Sequence, residues 1–356
     1  MAVSTGSATK ITSTEHLTMR HQVNQLHKKM HRSSLLAESS KVLSRRQKGT
    51  NDVSNDFSAY LVHHGGTLFK FTSDQILDTV IPGTAFGILA ALSGPVLDLP
   101  PQRTWSVIIR LPQIAFWLWL VILQFCVQNQ RSPSSIAEDT INKPWRPLPS
   151  GRLSPQQANR LLVGTNIAAA LLSYYLGVLH IFLVYVCLIT AYNDFGGGNK
   201  SGVVRNLFCS AGFSCYFGGA LSIALGPHGM SAAAWQWTLT LTAGILATTI
   251  QTQEFRDEVG DKARGRRTLV TELGRQRAFW SVFAAVAFWS VYVPFGFFKG
   301  GLINAFLPVL LGGALLATAV KAYHKGDCML DRKLYKIWCV WIFSFCPLPL
   351  LASRLA

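Results

Sequence analysis

The sequence predicts an all-α, polytopic membrane protein with nine transmembrane helices around a central cavity. Of its 356 residues, 49% are hydrophobic and only 14% are charged, whereas a soluble globular chain carries about 25% charged residues. The apolar residues come in runs close to the roughly 20 residues that cross a bilayer core as a helix. The charged residues lie in separate blocks between these runs, which is the pattern of a multi-span membrane protein.

The charge balance and the cysteines exclude other classes of protein. The chain carries 33 Lys and Arg against 17 Asp and Glu, a net charge of +16. Proteins that bind nucleic acid concentrate such charge on a solvated surface, whereas here it is divided among loops, so we expect no nucleic-acid partner. The seven Cys are scattered and odd in number, which argues against a disulfide-rich secreted module.

Residues 1–70 contain no apolar span and are rich in Ser, Thr, Lys, Arg and His. We expect a disordered, basic cytosolic tail here. Glu15 and Glu38 argue against a mitochondrial transit peptide, which is poor in acidic residues. We expect the first span to act as the insertion signal and residues 71–356 to form the transmembrane domain.

Nine apolar runs follow the tail, and we expect each to cross the bilayer. Spans three and four are separated only by Gly177, which predicts a tight helical hairpin. Pro and Gly inside several spans are compatible with membrane helices, since neighbouring helices re-satisfy the backbone. The predicted spans are Ile76–Leu97, Trp105–Val127, Leu161–Leu176, Val178–Tyr192, Leu207–Leu225, Ala232–Thr252, Ala278–Phe298, Leu302–Val320 and Leu334–Leu351.

Basic residues fall unevenly on the two sides of these spans. The N-terminus and the loops after spans two, four, six and eight lie on one side, which collects nearly all of the 33 basic residues. The other side has Arg103, Arg110, Lys299 and Arg354. By the positive-inside rule the basic side is cytosolic. We therefore expect the N-terminus and these loops to face the cytosol, and we expect the protein to lie in the endoplasmic reticulum membrane.

Acidic residues are scarce beyond the tail, and most lie in two loops of the cytosolic side. The loop after span two contains Glu138 and Asp139, and the loop after span six contains Glu254, Asp257 and Asp261. If helix six extends through its loop, the spacings of three and four place all three carboxylates on one face. Such oxygens suit Mg²⁺, which takes one or two carboxylates and completes its shell with phosphates and water. One such loop alone is more simply a solvated helix end with ion pairs, but two on one membrane face favour a magnesium site.

The two acidic loops resemble those of the UbiA superfamily of intramembrane prenyltransferases. That family has nine helices, an Asn-then-carboxylate motif after span two and an Asp-x-x-x-Asp motif after span six. The matching strings are Glu254-x-x-Asp257-x-x-Gly260-Asp261-x-x-x-Gly265-Arg266-x-Thr268 and Asn142-Lys143-Pro144-x-Arg146-Pro147-Leu148-Pro149-Ser150-Gly151. The resemblance covers about residues 70–356. It implies that both motifs bind Mg²⁺ and the diphosphate of an isoprenoid donor.

The first motif departs from the family pattern. Aligned back from Asn142, the family's second Asp falls on Asp139, its first falls on Ser135, and Glu138 is an added neighbour. Asn129 comes two residues too early, so whether Ser135 or Asn129 joins the motif stays open. This departure is similar to fungal UbiA-type members, as are Trp145-Arg146-Pro147 and Tyr192-Asn193-Asp194-Phe195-Gly196-Gly197-Gly198. Those members include membrane terpene cyclases that make sesquiterpenes and diterpenes.

The resemblance implies a role for each candidate site residue. The acidic residues form the metal and catalytic set, and the basic residues and one amide neutralise an anionic diphosphate. We expect Asp139, Asp257 and Asp261 to be catalytic, and the metal to be held by Glu138, Asp139, Glu254, Asp257 and Asp261. We expect the diphosphate to be bound by Lys200, Arg205, Lys262, Arg266, Asn142 and Arg146.

A carbocation needs an apolar pocket with aromatic ring faces. Several aromatic residues lie at suitable depths in the spans, although each is more often a packing or lipid-facing residue. They are Phe116, Trp117, Trp119, Phe213, Tyr216, Trp280 and Trp289.

These features predict a Mg²⁺-dependent terpene cyclase that ionises an allylic prenyl diphosphate in the bilayer and cyclises the carbocation. The alternative is a UbiA-type prenyltransferase that moves the prenyl group to an aromatic acceptor. A small-molecule transporter ranks below both, since it would need ionisable residues near mid-membrane and the spans have almost none apart from Arg110. The donor, farnesyl or geranylgeranyl diphosphate, stays open.

Overall fold

The computed structural model describes residues 53–325 and 328–355. Over these residues the protein is helical and contains no strand, so the all-α prediction is confirmed for this part of the chain. The chain divides into two compact units, residues 1–64 and residues 65–356.

The first unit is described from Val53 onward. Its described residues belong to helix α1, Val53–Thr72, in which the ring of Tyr60 lies 4.0 Å from that of His64. The last part of the predicted tail, from Val53 onward, is helical in the structure. The prediction for residues 1–52 lies outside the described residues.

Helices connected by short turns make up the second unit. Each predicted span overlaps one or more of them. They are α2 (Ile81–Ala91), α3 (Thr104–Ile108), α4 (Leu111–Gln130), α5 (Pro133–Asn142), α6 (Pro155–Tyr175), α7 (Leu179–Asn193), α8 (Gly202–Leu225), α9 (Ala232–Leu239), α10 (Ala247–Thr249), α11 (Glu254–Arg264), α12 (Leu269–Leu273), α13 (Arg275–Val291), α14 (Leu302–Lys325), α15 (Cys328–Phe343) and α16 (Leu348–Leu355).

Five helical segments of the described chain are long and apolar enough to cross a membrane. They are Thr104–Gln130, Gly202–Leu225, Arg275–Phe297, Leu302–Lys325 and Met329–Arg354, and they correspond to predicted spans two, five, seven, eight and nine. Helix α7 is apolar but shorter. The other four crossings stay predictions.

Helix packing in the second unit is close. Helix α8 contacts α2, α4 and α7, while α13, α14 and α15 pack in succession. Large side chains such as Trp117, Trp237 and Phe217 are fully buried. Wider helical turns at Ile76–Val80 and Thr240–Leu246 interrupt the regular helix in predicted spans one and six.

The two acidic motifs lie on helices α5 and α11, which pack against each other. Helix α5 begins where the Ser132 side chain accepts a hydrogen bond from the Ser135 backbone N–H, with Pro133 in the first turn, an arrangement that favours a helix start. Helix α11 ends at Gly265, whose φ of 70° terminates it. Pro133 therefore lies at the start of a helix.

Candidate functional site

Close contact between α5 and α11 brings the two motifs together. The Asn142 side-chain amide at the end of α5 donates a hydrogen bond of 3.1 Å to the backbone carbonyl of Asp257. A Cβ atom at Gly260 would overlap the Asn142 side chain, so only glycine permits this approach. Asn142, predicted to bind diphosphate, joins the two motif helices and does not line the cavity described below.

On α5 the first motif occupies one face. Ser135, Glu138 and Asp139 are buried there. Asp139 accepts two hydrogen bonds from the Arg146 guanidinium, at 2.9 and 3.0 Å. Glu138 accepts hydrogen bonds from Arg264 at 2.6 Å and from Arg266 at 3.2 Å. Both predicted carboxylates of the first motif thus face guanidinium groups.

Asn129 and Ser135, the alternatives for the missing motif position, both line the cavity. Asn129 lies on α4 and donates a hydrogen bond of 2.7 Å to the Asn193 side chain. Ser135 lies 3.3 Å from Nη1 of Arg264, which donates to it. Both residues are therefore placed at the site.

On α11 the three carboxylates of the second motif contact different cations. Buried Glu254 forms an ion pair with Arg205 and accepts the Val270 backbone N–H. Asp257 lies 3.0 Å from the Lys143 ammonium. The convergence expected of Glu254, Asp257 and Asp261 does not occur, because buried carboxylates pair with the nearest buried cation.

Asp261 is the least compensated carboxylate of the second motif. Its Oδ1 atom is buried, lies 3.6 Å from Nη1 of Arg266 and has no hydrogen-bond partner among the described residues. Burial raises the pKa of Asp261 to about 6, although Arg266 and Arg205 lower it. Burial also acts to raise the pKa of Asp257, but the Lys143 ammonium and the Arg256 guanidinium outweigh this and lower it to about 2.

These carboxylates fit Mg²⁺. They are hard oxygen donors, and the buried Oδ1 of Asp261, which has no hydrogen-bond partner among the described residues, would be stabilised by a cation or a proton. Over the part of the chain that the structure describes, no three His, Cys, Asp or Glu side chains lie close enough to hold a metal on their own. Such a site suits an ion that takes one or two carboxylates and shares substrate phosphates.

A cavity of about 120 Å³ opens beside the motifs. Its polar wall contains Glu138, Asp139 and Asp257 together with cations from several elements. Those cations are Lys143, Arg146, Arg205, Arg256, Arg264 and Arg266. The rest of the wall is mainly aromatic and apolar, with Phe125, Phe208, Phe213, Tyr216, Tyr192 and Trp338.

The predicted diphosphate-binding residues divide into two groups. Arg146, Arg205 and Arg266 line the cavity, and the Nε atom of each is buried without a hydrogen-bond partner in the described chain. Lys200 is exposed. Lys262 pairs with Glu258 at 2.7 Å, and its side chain is 62% exposed. Neither lysine lines the cavity.

Arg256 is a cavity-lining cation that the sequence analysis did not single out. Its guanidinium lies 3.5 Å from the ring centroid of Tyr335 and 3.7 Å from the Asp257 carboxylate. Its buried Nε atom has no hydrogen-bond partner among the described residues. Because it follows Glu254 by two positions, helical spacing would have directed it away from the acidic face.

Asp78 was also missed, and here the sequence did carry a signal. It lies within predicted span one, lines the cavity and accepts hydrogen bonds from Tyr335 and Thr79. An ionisable residue inside a membrane span points to a functional site by default. Predicted span one therefore carries an ionisable residue, contrary to the expectation that the spans hold almost none besides Arg110.

The structure also separates the aromatic candidates. Phe213 and Tyr216 on α8 line the cavity. The other five do not contribute to its wall, and Phe116 and Trp280 are more than half exposed. Depth along a span thus does not show whether a ring faces the cavity, its neighbours or the bilayer.

Comparison with known proteins places this fold and site in one family. Residues 80–340 match the UbiA prenyltransferase family, so the chain belongs to it and the resemblance seen in the motifs is confirmed. The fold agrees: a solved UbiA homologue from Archaeoglobus fulgidus, bound to GPP and Mg²⁺, aligns with a TM-score of 0.52 at 14% identity, over 79% of this chain and 99% of that one.

Three curated relatives indicate the range of related activities. Fumagillin beta-trans-bergamotene synthase af520 of Aspergillus fumigatus is 34% identical over 62% of this chain and 71% of its own. Diterpene cyclase eriG of Hericium erinaceus is 28% identical over 79% and 87%, and polyprenyl transferase eriF of the same fungus is 25% identical over 81% and 94%. The chain is an integral membrane enzyme of the UbiA family that acts on prenyl diphosphates.

Proposed function

We propose that this enzyme is a Mg²⁺-dependent terpene cyclase that ionises farnesyl or geranylgeranyl diphosphate and cyclises the resulting carbocation. The observation that carries the proposal is the cavity itself, in which the paired charges of both motifs and an aromatic wall line one space. The charged side chains suit a diphosphate, and the aromatic wall suits a hydrocarbon chain. The similarity to a bergamotene synthase and a diterpene cyclase supports cyclisation.

The proposed site assigns different roles to the motif residues. Glu138, Asp139, Asp257 and Asp261 would hold Mg²⁺, which when bound supplies positive charge to the leaving diphosphate. Arg146, Arg205, Arg256 and Arg266 bind the diphosphate through hydrogen bonds between charged groups, which are stronger than neutral ones. Glu254 positions Arg205. Lys200 and Lys262 are not part of this set, because their ammonium groups lie outside the cavity.

In the proposed reaction the allylic C–O bond breaks and its electron pair leaves with the diphosphate. The guanidinium groups are already fixed by carboxylates, so they stabilise the developing negative charge with little reorganisation. The aromatic wall excludes water and presents electron-rich ring faces to the cation. A double bond of the chain then attacks the cation to close a ring, and the released diphosphate accepts the proton whose loss forms the final double bond.

The alternative is transfer of the prenyl group to an aromatic acceptor. The family name and the similarity to polyprenyl transferase eriF favour it, and ionisation is the same in both reactions. Membership of an enzyme family argues against the transporter considered from the sequence.

One experiment separates the two reactions. Membranes that contain the enzyme are incubated with farnesyl or geranylgeranyl diphosphate and Mg²⁺, without acceptor, and the products are analysed by gas chromatography and mass spectrometry. We expect a cyclic hydrocarbon or alcohol and an equal amount of diphosphate. Membranes that contain the Asp257→Asn variant serve as the control, because any product they form comes from phosphatases of the host. A product that forms only when a phenol is added would contradict the cyclase.

A further inference from the structure

Two buried tyrosines, one of which lines the cavity, are in contact through their hydroxyl groups. Tyr216 on α8 lines the cavity, whereas Tyr185 on α7 does not. Tyr216 is 5% and Tyr185 1% exposed. The mechanism above uses neither hydroxyl, although a buried polar group in an apolar wall is expensive unless it has a partner.

The direction of their hydrogen bonds follows from what each group can donate. The Tyr185 hydroxyl lies 3.2 Å from the Val121 carbonyl oxygen and 2.9 Å from the Tyr216 hydroxyl. A carbonyl only accepts, and a tyrosine hydroxyl has one proton to donate. Both contacts are hydrogen bonds at the same time only when Tyr185 donates to Val121 and Tyr216 donates to Tyr185. In this arrangement the proton of Tyr216 is used within the pair, and the Tyr216 oxygen can offer a ligand only a lone pair.

Tyr216 lies deep in the cavity, along one face of α8. Arg205, Phe208, Phe213 and Tyr216 all line it from this helix. The eleven residues from Arg205 to Tyr216 correspond to roughly 16 Å along the helix axis. A prenyl diphosphate whose charged end contacts Arg205 would therefore present hydrocarbon to Tyr216. A neutral hydrocarbon gains nothing from a lone pair, whereas a carbocation is stabilised by it.

We propose that the Tyr216 hydroxyl oxygen is a fixed electron-pair donor that stabilises positive charge on the cyclising chain and so determines the product. This inference rests on the proposed function and deepens it. Tyr185 is the positioning residue, since it holds the Tyr216 proton away from the cavity. Tyr216 is not the final base, because its relay ends at a backbone carbonyl that does not retain a proton. The proton that the cyclised cation loses in the final step goes to the released diphosphate.

The test compares Tyr216→Phe and Tyr185→Phe with the wild-type enzyme. Diphosphate release and product ratios are both measured, and Tyr175→Phe serves as the matched control because Tyr175 is 78% exposed. In Tyr216→Phe we expect diphosphate release to persist and the ratio of cyclic to linear or early-terminated product to fall by roughly three- to tenfold, the range that one neutral hydrogen-bonding group contributes. Tyr185→Phe should shift the ratio in the same direction, although every cavity-lining side chain remains. Tyr175→Phe should match the wild type.

An unchanged product ratio in Tyr216→Phe would overturn the inference. A changed ratio in Tyr216→Phe with an unchanged one in Tyr185→Phe would overturn the positioning role. If Tyr216→Phe does not accumulate in membranes, Tyr185→Phe alone decides. A wild-type enzyme that only transfers its prenyl group to a phenol would contradict the cyclase but still form the cation. The ratio of transferred product to prenyl alcohol then becomes the readout, and no change in it would overturn the inference.

Discussion

The basic side chains of the cavity differ in how their charge is used. Arg146, Arg205, Arg264 and Arg266 donate hydrogen bonds to carboxylates. Arg256 instead stacks on Tyr335, whose hydroxyl is bound to Asp78. A guanidinium whose face is held by a ring keeps its N–H edge available to a ligand. Arg256 is therefore the cation best prepared to bind an anion.

We predict that Arg256→Gln raises the KM for prenyl diphosphate about tenfold or more, because a hydrogen bond between charged groups contributes about 1.5–3 kcal/mol. Arg256→Lys should recover part of the lost affinity, since the positive charge remains although the planar set of guanidinium N–H donors is removed. The measurement is steady-state kinetics in detergent. The control is Arg267→Gln, which removes the same charge from a side chain that is 62% exposed and paired with Glu272. Equal KM values for the two Gln variants would contradict the role of Arg256.

We also predict that Asp261→Asn lowers turnover at least about a hundredfold, because a metal contributes several kcal/mol to stabilising the leaving charge. The change keeps the shape of the side chain and removes the charge of its unpaired oxygen. Higher Mg²⁺ concentrations should restore part of the activity if the defect is in metal binding. Glu258→Gln is the control, since both carboxylate oxygens of Glu258 are paired, one with Lys262 and the other with Arg275. Wild-type turnover in Asp261→Asn would remove it from the site.

Single side chains show where sequence reasoning stops. Helical spacing identified Glu254, Asp257 and Asp261 as one acidic face, yet Glu254 is paired with Arg205 from another helix. Lys200 and Arg205 were expected to act alike, but only Arg205 lines the cavity. Which basic residue faces inward depends on packing between helices, and one sequence does not contain this information.

At the scale of elements, the site depends on the contact between α5 and α11. Each motif was visible in the sequence, but α5 itself, a short helix within the loop after span two, was not. Its start signal, Ser132 followed by Pro133, was present in the sequence. The contact with α11 relies on Gly260, whose missing side chain leaves room for Asn142.

We predict that Gly260→Ala lowers both activity and thermal stability. In a helix this change ordinarily stabilises by roughly 0.5–1 kcal/mol, but here the new methyl group overlaps Asn142, and overpacking costs about 1–3 kcal/mol. The second effect should win and separate the motif helices. Melting temperature and turnover in detergent provide the measurement. Gly164→Ala on α6 is the matched control, because a Cβ there meets nothing within 4 Å. A Gly260→Ala enzyme with wild-type activity would contradict this role for the contact.

For the whole molecule, composition and hydrophobic runs predicted the helical class, which is confirmed over the described residues. The resemblance of the two acidic motifs predicted the family, which is confirmed as well. The nine crossings are harder to establish. Helix α6 is long enough but carries Arg160 and several amides, α7 is short, and irregular turns divide predicted spans one and six. Sliding hydrophobicity detects such segments as runs, but packing against other helices decides whether each one crosses.

The nine crossings and the cytosolic N-terminus that the sequence predicts would place the C-terminus on the opposite side of the membrane. We predict that, in intact microsomes, added protease removes an N-terminal epitope tag and spares a C-terminal one, because the odd number of spans separates the two ends. Detergent should expose both tags. Digestion of both tags in intact microsomes would contradict the odd number of crossings, and protection of the N-terminal tag would reverse the proposed orientation.

The ion pairs around the cavity are a resident set of counterions. Mg²⁺ entering alone would compete with guanidinium groups for the carboxylates, and a diphosphate entering alone would compete with carboxylates for the guanidinium groups. When both bind together, the carboxylate of each broken ion pair contacts Mg²⁺ and its guanidinium contacts the diphosphate. No buried charge is then left without a partner. The affinities for the metal and for the diphosphate are then coupled reciprocally. We therefore expect Mg²⁺ to bind the substrate-free enzyme far more weakly than the Mg²⁺ concentration needed for turnover would suggest.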